Sequence, residues 1–321
     1  MESSDPRRGA LVCVGLPTYN RCDRLARAVD SVLAQSHHAL ELTISDNAST
    51  DGTEELCREI AERDPRVRYV RHPTNRGSTE NFNHVFGALR GEYVMVLGDD
   101  DWIDPDYVAA CLEVLAAEPD VAVVVGRSRY YRSDGEYEGE LGSPPELLDD
   151  SPARRVRAYY ALEPKPETFY GLMRASALRT AAPMRNVLYN DGIFAATIVF
   201  AGKLRAVPEV AIHRARGGTS VDWETLLRTL GKPTVQARIP QLVIAWEVFR
   251  DTAWGKPAYR SLSLAERIRL AGGCARTTFS WRALAFHLFG PSIAHLAAKP
   301  GMSWLSIALA RARRRWGTHQ G

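Results

Sequence analysis

The chain has 321 residues, enough for one large or two modest domains, and 45% hydrophobic with 25% charged residues is the balance of a soluble globular protein. Its five cysteines (Cys13, Cys22, Cys57, Cys111, Cys274) form no CxxC pair and no metal-ligand spacing, and their odd count and scatter fit a reducing cytosol better than a disulfide framework. The net charge of +3 hides an asymmetry: from Leu226 onward there are 15 Lys/Arg against 3 Asp/Glu, and before it 26 against 35, so an acidic body carries a basic tail. Met1 to Gly9 is polar, so no secretory signal is expected. The uncharged run Ala283 to Ala298 is interrupted by His287, Gly290-Pro291 and His295, too broken to span a bilayer.

In chain order, Ala10 to Leu16 is an apolar run ended by Pro17, a buried strand. Leu25, Ala28, Val29, Val32 and Leu33 recur at helical spacing within Arg24 to Gln35. Leu40 to Ser45 reads as a second strand, and Ser49-Thr-Asp-Gly52 is a turn that caps a helix over Glu54 to Arg63. Val67 to Val70 is a third strand, Ser78 to Leu89 a helix, and Tyr93 to Leu97 a fourth strand. This alternation predicts a parallel sheet with helices on both faces, whose ligands bind at the carboxyl ends of the strands. Pro17-Thr18-Tyr19-Asn20, Asp46-Asn47 and Asp99-Asp100-Asp101 all fall at those ends.

Further on, a helix over Pro105 to Glu118 and a strand over Val121 to Val125 continue the pattern. Ser133 to Pro152 reads as a loop, Thr168 to Arg174 as a strand, Asn190 to Phe200 as a helix with Asp191 in its first turn, and Leu204 to Ile212 as a strand. Beyond about Ser220 the chain reads as amphipathic helix with breaks at Gly231-Lys-Pro233, Gly255-Lys-Pro257 and Pro300-Gly301.

Consecutive carboxylates at Asp99, Asp100 and Asp101 repel one another unless a cation joins them. Magnesium or manganese, held by carboxylates and phosphate oxygens, is the usual cation. The alternative is a helix cap, a task that Asp104-Pro105-Asp106 downstream can also perform.

Gly15-Leu-Pro-Thr-Tyr-Asn-Arg21, Ser45-Asp-Asn-Ala-Ser-Thr-Asp-Gly52, Asn75-Arg-Gly77, Gly91-Glu-Tyr-Val94 and Leu97-Gly-Asp-Asp-Asp-Trp102 occur in the order and spacing of family 2 glycosyltransferases of the GT-A fold. The resemblance runs from about Leu11 to Ser220. It implies an α/β fold, a mixed and mainly parallel Rossmann-like sheet with helices on both faces. A GT-A domain would then occupy residues 1–225, with a nucleotide-sugar part over about 10–126 and an acceptor part over about 127–225. A basic α-helical region, 226–321, follows. The resemblance also implies a nucleotide-diphosphate sugar donor (UDP-, dTDP- or GDP-linked), Mn2+ or Mg2+, and inversion at the anomeric carbon.

Carried onto this chain, the family pattern puts Pro17, Thr18, Tyr19 and Asn20 against the nucleotide, with Asp46 and Asn47 beside the base and Arg76 near base or phosphate. It gives ribose to Asp99 and metal to Asp100, with Asp101 a ligand directly or through water. Gly98 stands where many members carry another Asp. Asp191 matches the catalytic base of the family's Glu-Asp pair, with Asn190 replacing the first acid; the plain alternative is a first-turn Asp favoured by the helix dipole. His213-Arg-Ala-Arg216 lies where the family often has Tyr-Arg-x-His, so His213 or Arg216 is a candidate diphosphate contact. Trp102, Tyr170 and Gly171 are candidates for lining the sugar or acceptor cleft.

The predicted function is therefore transfer of a sugar to an acceptor hydroxyl in assembly of a bacterial surface polysaccharide or glycolipid. Transfer to a secondary metabolite is the alternative acceptor chemistry, and a non-catalytic nucleotide-sugar-binding protein is the rival outside enzymes. A nucleotidyltransferase is disfavoured because no Gly-rich basic loop follows the first strand. The tail allows a solvated basic face, self-association, or peripheral attachment to the inner face of a membrane through Trp304 to Leu309 and Arg311 to Trp316. Nucleic acid is not an expected partner, since no recognised module accompanies the charge, and the cytoplasm is the expected compartment.

Overall fold

The computed structural model describes residues 9–132, 134–140, 143–162, 168–215 and 223–279. Strands β1 (Val12–Thr18), β2 (Leu40–Asp46), β3 (Val67–Arg71) and β4 (Tyr93–Val96) alternate with helices α1 (Cys22–Leu33), α2 (Thr53–Arg63) and α3 (Ser78–Ala88). β1 is buried along its whole length, which is why it reads as an uninterrupted apolar run. Gly15 lets α3 lie close on it: a Cβ there would stand 2.0 Å from Val85 Cγ1.

These strands pair in parallel in the order β3-β2-β1-β4. The sheet then continues through β8 (Leu172–Arg174), β6 (Val121–Tyr131), β9 (Lys203–Ala215) and β5 (Trp102–Ile103), with β7 (Tyr137–Glu140) hairpinned onto β6. β8 runs antiparallel to both β4 and β6, and β9 runs parallel to β6 and antiparallel to β5. The nine-stranded sheet is therefore parallel on its first half and mixed on its second.

Two apolar layers sandwich the sheet. One joins α1, α2 and α4 (Tyr107–Ala117) to one face through residues such as Leu25, Val29, Cys57 and Val108. The other joins α3, α5 (Pro152–Ala161), α6 (Ala175–Ala181) and α7 (Asn190–Ala201) to the opposite face. Helices α8 (Trp223–Thr229), α9 (Pro240–Arg250) and α10 (Leu264–Thr278) extend that second layer, since Leu227, Ile244, Val248, Leu270 and Cys274 share a cluster with Phe194 and Val199. Lys256 reinforces the joint: its buried Nζ donates to Ala181 O and, at 2.6 Å, to Pro183 O. Arg185 also bridges it, reaching Asp251 at 2.6 Å and Glu247 at 3.2 Å.

Differences from the sequence expectations are local. β5 is too short, at 2 residues, to leave a periodic signal. α5 is started by Ser151, whose hydroxyl accepts from the Arg154 N–H, with Pro152 in the first turn. The strand expected over Thr168 to Arg174 shortens to β8, and β6 runs six residues further than Val125, to Tyr131. The stretch expected as loop after Ser133 contains β7.

Candidate active site

The carboxyl ends of β1 to β4 are stitched together by hydrogen bonds from the residues that the sequence motifs supply. Thr18, buried at the end of β1, donates its hydroxyl to Asp99 Oδ2 at 2.8 Å, and the Tyr19 N–H approaches the same oxygen at 3.4 Å. Arg21 Nε stands 3.7 Å from Asp99 Oδ1. Asn20, in the left-handed region at φ 53°, donates its N–H to Ser49 Oγ at 2.9 Å, and its Oδ1 accepts from the Thr50 N–H at 2.8 Å. Asn47 donates to Asn75 Oδ1 and accepts from the Arg76 N–H, each at 2.8 Å.

Asp46 lies under this surface, wholly buried. Its Oδ1 accepts from the Ser49 N–H at 2.9 Å, its Oδ2 accepts from the Tyr69 hydroxyl at 2.8 Å, and Arg71 Nε lies 3.4 Å away. The carboxylate predicted to meet a base thus organises the turn that follows β2. Pro17 is buried in β1, whereas the Tyr19 ring is 43% exposed and Arg76 lies at the surface. Asn81 was not singled out from sequence. Buried near the start of α3, it donates to Ser45 O at 2.9 Å and Thr18 O at 3.3 Å and accepts from the Ser45 hydroxyl at 2.6 Å. A polar residue one helical turn before buried Val85 was its sequence signal.

Asp99, Asp100 and Asp101 follow β4. Asp101 is 2% exposed; its Oδ2 meets Arg214 Nε at 3.3 Å, and its Oδ1 accepts from the Ala215 N–H at 3.3 Å. Both Asp100 and Asp101 fold back over Gly98: a Cβ there would meet Asp101 Oδ2 at 2.9 Å and Asp100 Oδ1 at 3.4 Å. The glycine that departs from the family's usual Asp therefore leaves the room in which two carboxylates converge. Burial, with the Asp100 charge adding to it, pushes Asp99 up to about 7 against the Thr18 hydroxyl and Arg21. Burial likewise pushes Asp101 up to about 6; Arg214 opposes this and Asp100 adds to it.

Asp191 stands in the first turn of α7, partly buried, with its Oδ1 accepting from the Gly192 N–H at 2.8 Å. Burial raises its pKa, opposed by that N–H and by the Arg214 charge. Asn190, in place of an acid, caps the Asp191 N–H through Oδ1 at 2.9 Å and ties α7 to α3 by donating to Thr79 Oγ1 at 3.2 Å.

Arg214 is the residue that sequence reasoning passed over between His213 and Arg216. Its guanidinium lies 4.4 Å from the centre of the Tyr170 ring, against Asp101, with its charge felt at Asp191. Tyr170 in turn feels the charges of Asp101, Asp191 and Asp100. Strand parity was the available signal, because alternate residues of β9 face opposite sides and Arg214 points away from His213.

His213 turns into an aromatic stack. Its ring lies 5.0 Å from Trp102 at an interplanar angle of 7°, with Nδ1 2.9 Å from the Tyr131 hydroxyl and Nε2 2.7 Å from Asp104 Oδ1. With both ring nitrogens taken, it braces Trp102 and leaves the cationic position facing the carboxylates to Arg214. Trp102 is clamped from the other side by the Arg27 guanidinium, 3.4 Å from its ring. Gly171 is a packing position as well: a Cβ would meet Val123 Cγ2 at 2.6 Å and Val124 O at 2.8 Å, so its lack of a side chain serves the β6–β8 contact. Arg216 and the tail segment from Trp304 to Trp316 lie outside the described residues.

Among the described residues no group of three or more His, Cys, Asp and Glu side chains forms a metal cage. The paired carboxylates of Asp100 and Asp101 nevertheless fit a divalent cation of the kind that takes one or two carboxylates and completes its shell with substrate phosphates and water. Asp99 and Asp101, pushed upward by burial with the Asp100 charge adding to it, are the electrostatic counterpart of that fit.

The model of glycosyl transferase family 2 matches residues 13–180, more than half of the chain, and the chain belongs to that family. A hyaluronan synthase of Pasteurella multocida is 33% identical over 135 residues, covering 42% of this chain and 14% of that protein. The succinoglycan biosynthesis protein ExoO of Rhizobium meliloti is 35% identical over 137 residues, 40% of this chain and 38% of its own length. These matches thus span well under half of the relatives' length. The fold is shared with S. aureus TarS 1-349 in complex with UDP-GlcNAc, at TM-score 0.60 and 16% identity over 89% of this chain and 77% of that one. It is also shared with the mannosyltransferase PcManGT of Pyrobaculum calidifontis in complex with GDP-Man and Mn2+, at TM-score 0.54 and 17% identity over 97% of this chain and 81% of that one.

Proposed function

We propose that the chain moves a sugar, with inversion, from a nucleotide-diphosphate sugar to an acceptor hydroxyl, and that Asp191 is the base. The observation that carries this reading is the single cluster joining Asp100, Asp101, Arg214, Tyr170 and Asp191 across the two halves of the sheet. The acceptor O–H gives its proton to the Asp191 carboxylate as the oxygen attacks the anomeric carbon. The new C–O bond forms on one face of the sugar while the bond to the diphosphate oxygen breaks on the other, and the electron pair leaves with the nucleoside diphosphate. Burial makes Asp191 a stronger base than a solvated carboxylate, while the Gly192 N–H and the Arg214 charge favour its ionised form.

Asp100 and Asp101 would hold Mn2+ or Mg2+, which when bound supplies Lewis-acid neutralisation of the leaving diphosphate. Thr18, Tyr19 and Asn20 form the nucleotide side, with Asp99 offering its remaining capacity to the ribose. Asn47 fixes the Arg76 loop near base or phosphate, and Asp46 acts through the turn it holds. The complexes of the fold neighbours, one with UDP-GlcNAc and one with GDP-Man, support a nucleotide-sugar donor. The names of the two relatives support an acceptor in polysaccharide assembly.

The test is turnover of a panel of nucleotide sugars with Mn2+ and with chelator. We expect metal-dependent release of nucleoside diphosphate, and a fall on the order of 10³-fold in transfer rate for Asp191→Asn with nucleotide affinity kept. Because a base works only when ionised, the rate should rise with pH along a limb that lies above the ordinary carboxylate range. Full activity in the variant would move the base elsewhere.

No described helix is long and apolar enough to cross a membrane. We propose peripheral contact with an anionic lipid surface through the C-terminal region. In support, α9 turns a second apolar stripe outward: Leu242 and Trp246 are 44% and 54% exposed, Ile239 precedes them at 37%, and Trp254 follows at 51%. Exposed Arg238 and Arg260 flank this stripe.

A further inference from the structure

Helix α7, which carries Asp191 in its first turn, begins without an ordinary cap. The position before a helix is usually an extended Ser, Thr, Asp or Asn whose side chain accepts from the first free N–H groups. Here it is Tyr189, in the left-handed region at φ 62° and ψ 33°, with no side-chain bond to the helix. A bulky residue rarely adopts that conformation. Among the described residues, Asn20 (φ 53°), Ala48 (φ 66°) and Tyr189 are the non-glycines with positive φ. Asn20 follows β1, Ala48 follows β2 and Tyr189 lies two residues before Asp191, so all three border the candidate active site. Such conformations persist where the surroundings over-determine them, and they cluster at functional sites.

What over-determines Tyr189 is its ring. A Cβ on Gly192 would stand 1.9 Å from Tyr189 Cζ and 2.3 and 2.4 Å from Cε2 and Cε1, so the ring lies directly on the Gly192 backbone. Only a residue without a side chain leaves that space. The ring also packs against the apolar layer that holds α3 and α7. With no cap from Tyr189, the free N–H groups of the first turn find acceptors within it. Asn190 Oδ1 accepts from the Asp191 N–H at 2.9 Å, and Asp191 Oδ1 from the Gly192 N–H at 2.8 Å. The second bond ties one oxygen of Asp191 to the residue that the ring covers. The far end of α7 is fixed by buried Arg155, which donates to Val199 O at 2.9 Å and Phe200 O at 3.1 Å. With that end held, the stack of Tyr189 on Gly192 sets the geometry of the first turn.

We propose that Tyr189 is a positioning residue for Asp191. Its ring, seated on Gly192, fixes the Gly192 N–H; that N–H holds Asp191 Oδ1, and Oδ2 is thereby turned to the hydroxyl whose proton it takes. Direction matters because a displacement of about 1 Å at a reacting group can slow a reaction about 100-fold. This rests on the transferase reading above and adds to it the residue that sets the geometry of the base.

The experiment joins a measurement that needs no substrate to a kinetic one, both on the full chain. The first is hydrogen exchange at the Gly192 amide, followed by NMR in glycine-labelled protein, its signal identified by its loss in Gly192→Ala. Exchange should be slow in wild type and in Tyr189→Phe, and about tenfold faster or more in Tyr189→Ala. The second is hydrolysis of whichever nucleotide sugar the wild type turns over fastest with Mn2+, water standing in for the acceptor. Here kcat should fall on the order of tenfold or more in Tyr189→Ala and in Gly192→Ala, with donor KM within about twofold of wild type. Tyr189→Phe should keep kcat, because the contact is made by ring carbons. The double variant should be no slower than Tyr189→Ala, since the added methyl then meets no ring. Gly192 exchange unmoved by Tyr189→Ala would overturn the proposal, and so would faster exchange with kcat unchanged. A double variant slowed by the full product of the single effects would overturn it as well. Exchange that responds to Tyr189→Ala in a chain that hydrolyses no donor would keep the hold of Tyr189 on the Asp191 turn and overturn the transferase reading instead.

Discussion

The two halves of the sheet are held by different forces. Around β1 to β4 the strand ends are fixed by short hydrogen bonds, buried at Asn81 beneath, part-buried at Asn47 and exposed at Asn20 above. Around α5 to α10 the fixing is mostly apolar, with Phe194, Val199, Val248 and Leu270 in one continuous layer. The nucleotide pocket proposed for the first half needs fixed polar loops, and a polar lattice is rigid only while every partner is present. The acceptor side proposed for the second half, built on apolar contact, tolerates changes of shape, provided volume is kept. The difference teaches where specificity can drift: on the second half, without disturbing the first.

Arg214 joins the halves, and its loss should have the largest effect on that division. Arg214→Ala is expected to lower kcat/KM on the order of 10²-fold, the scale of removing one preorganised charge from an active site. It should also move the Asp191 limb to higher pH, because a cation that favours the carboxylate is gone. Arg214→Lys should restore only part, since a lysine cannot lie flat on Tyr170. A pH–rate profile unmoved by Arg214→Ala would remove the residue from the site.

Next in size is the lattice itself. Asn81→Ala removes the side-chain donor from Ser45 O and Thr18 O, the latter keeping the Asn47 N–H, together with the acceptor of the buried Ser45 hydroxyl, and should cost about 1–3 kcal/mol in urea unfolding, with weaker nucleotide binding alongside. Retained stability would mean that the donor half is not held as described. The smallest effect is expected from Trp246→Ser on the outer stripe of α9, within about 0.5 kcal/mol of wild type in the same assay. Its consequence should appear instead in co-sedimentation with anionic vesicles, which falls if the stripe is interfacial. Undiminished partition of this variant and of a Trp254→Ser companion would place membrane contact elsewhere.

Much of the first half was legible because its signals are local. Apolar runs end in Pro17, Asp46 and Asp99, and a parallel sheet gathers such ends on one edge. The second half was not, for physical reasons that differ residue by residue. β5 is too short for periodicity. Arg214 differs from His213 only by strand parity, which requires knowing which face of β9 meets the carboxylates. His213 reads as a phosphate ligand until Asp104 and Tyr131 are seen to occupy its nitrogens. Gly171 reads as a residue lining a cleft, whereas β6 fills the space where its side chain would be.

The bond from Asn190 to Thr79 has a mechanical consequence. It anchors the start of α7 to the start of α3, a helix that packs on β1 and carries Asn81. Asp191 therefore rides with Asn81 and the strand ends that it holds, inside the layer that α3 and α7 share. If that layer shifts on the sheet, α3 and the start of α7 shift together, and the spacing between Asp191 and the ends of β1 and β2 changes least.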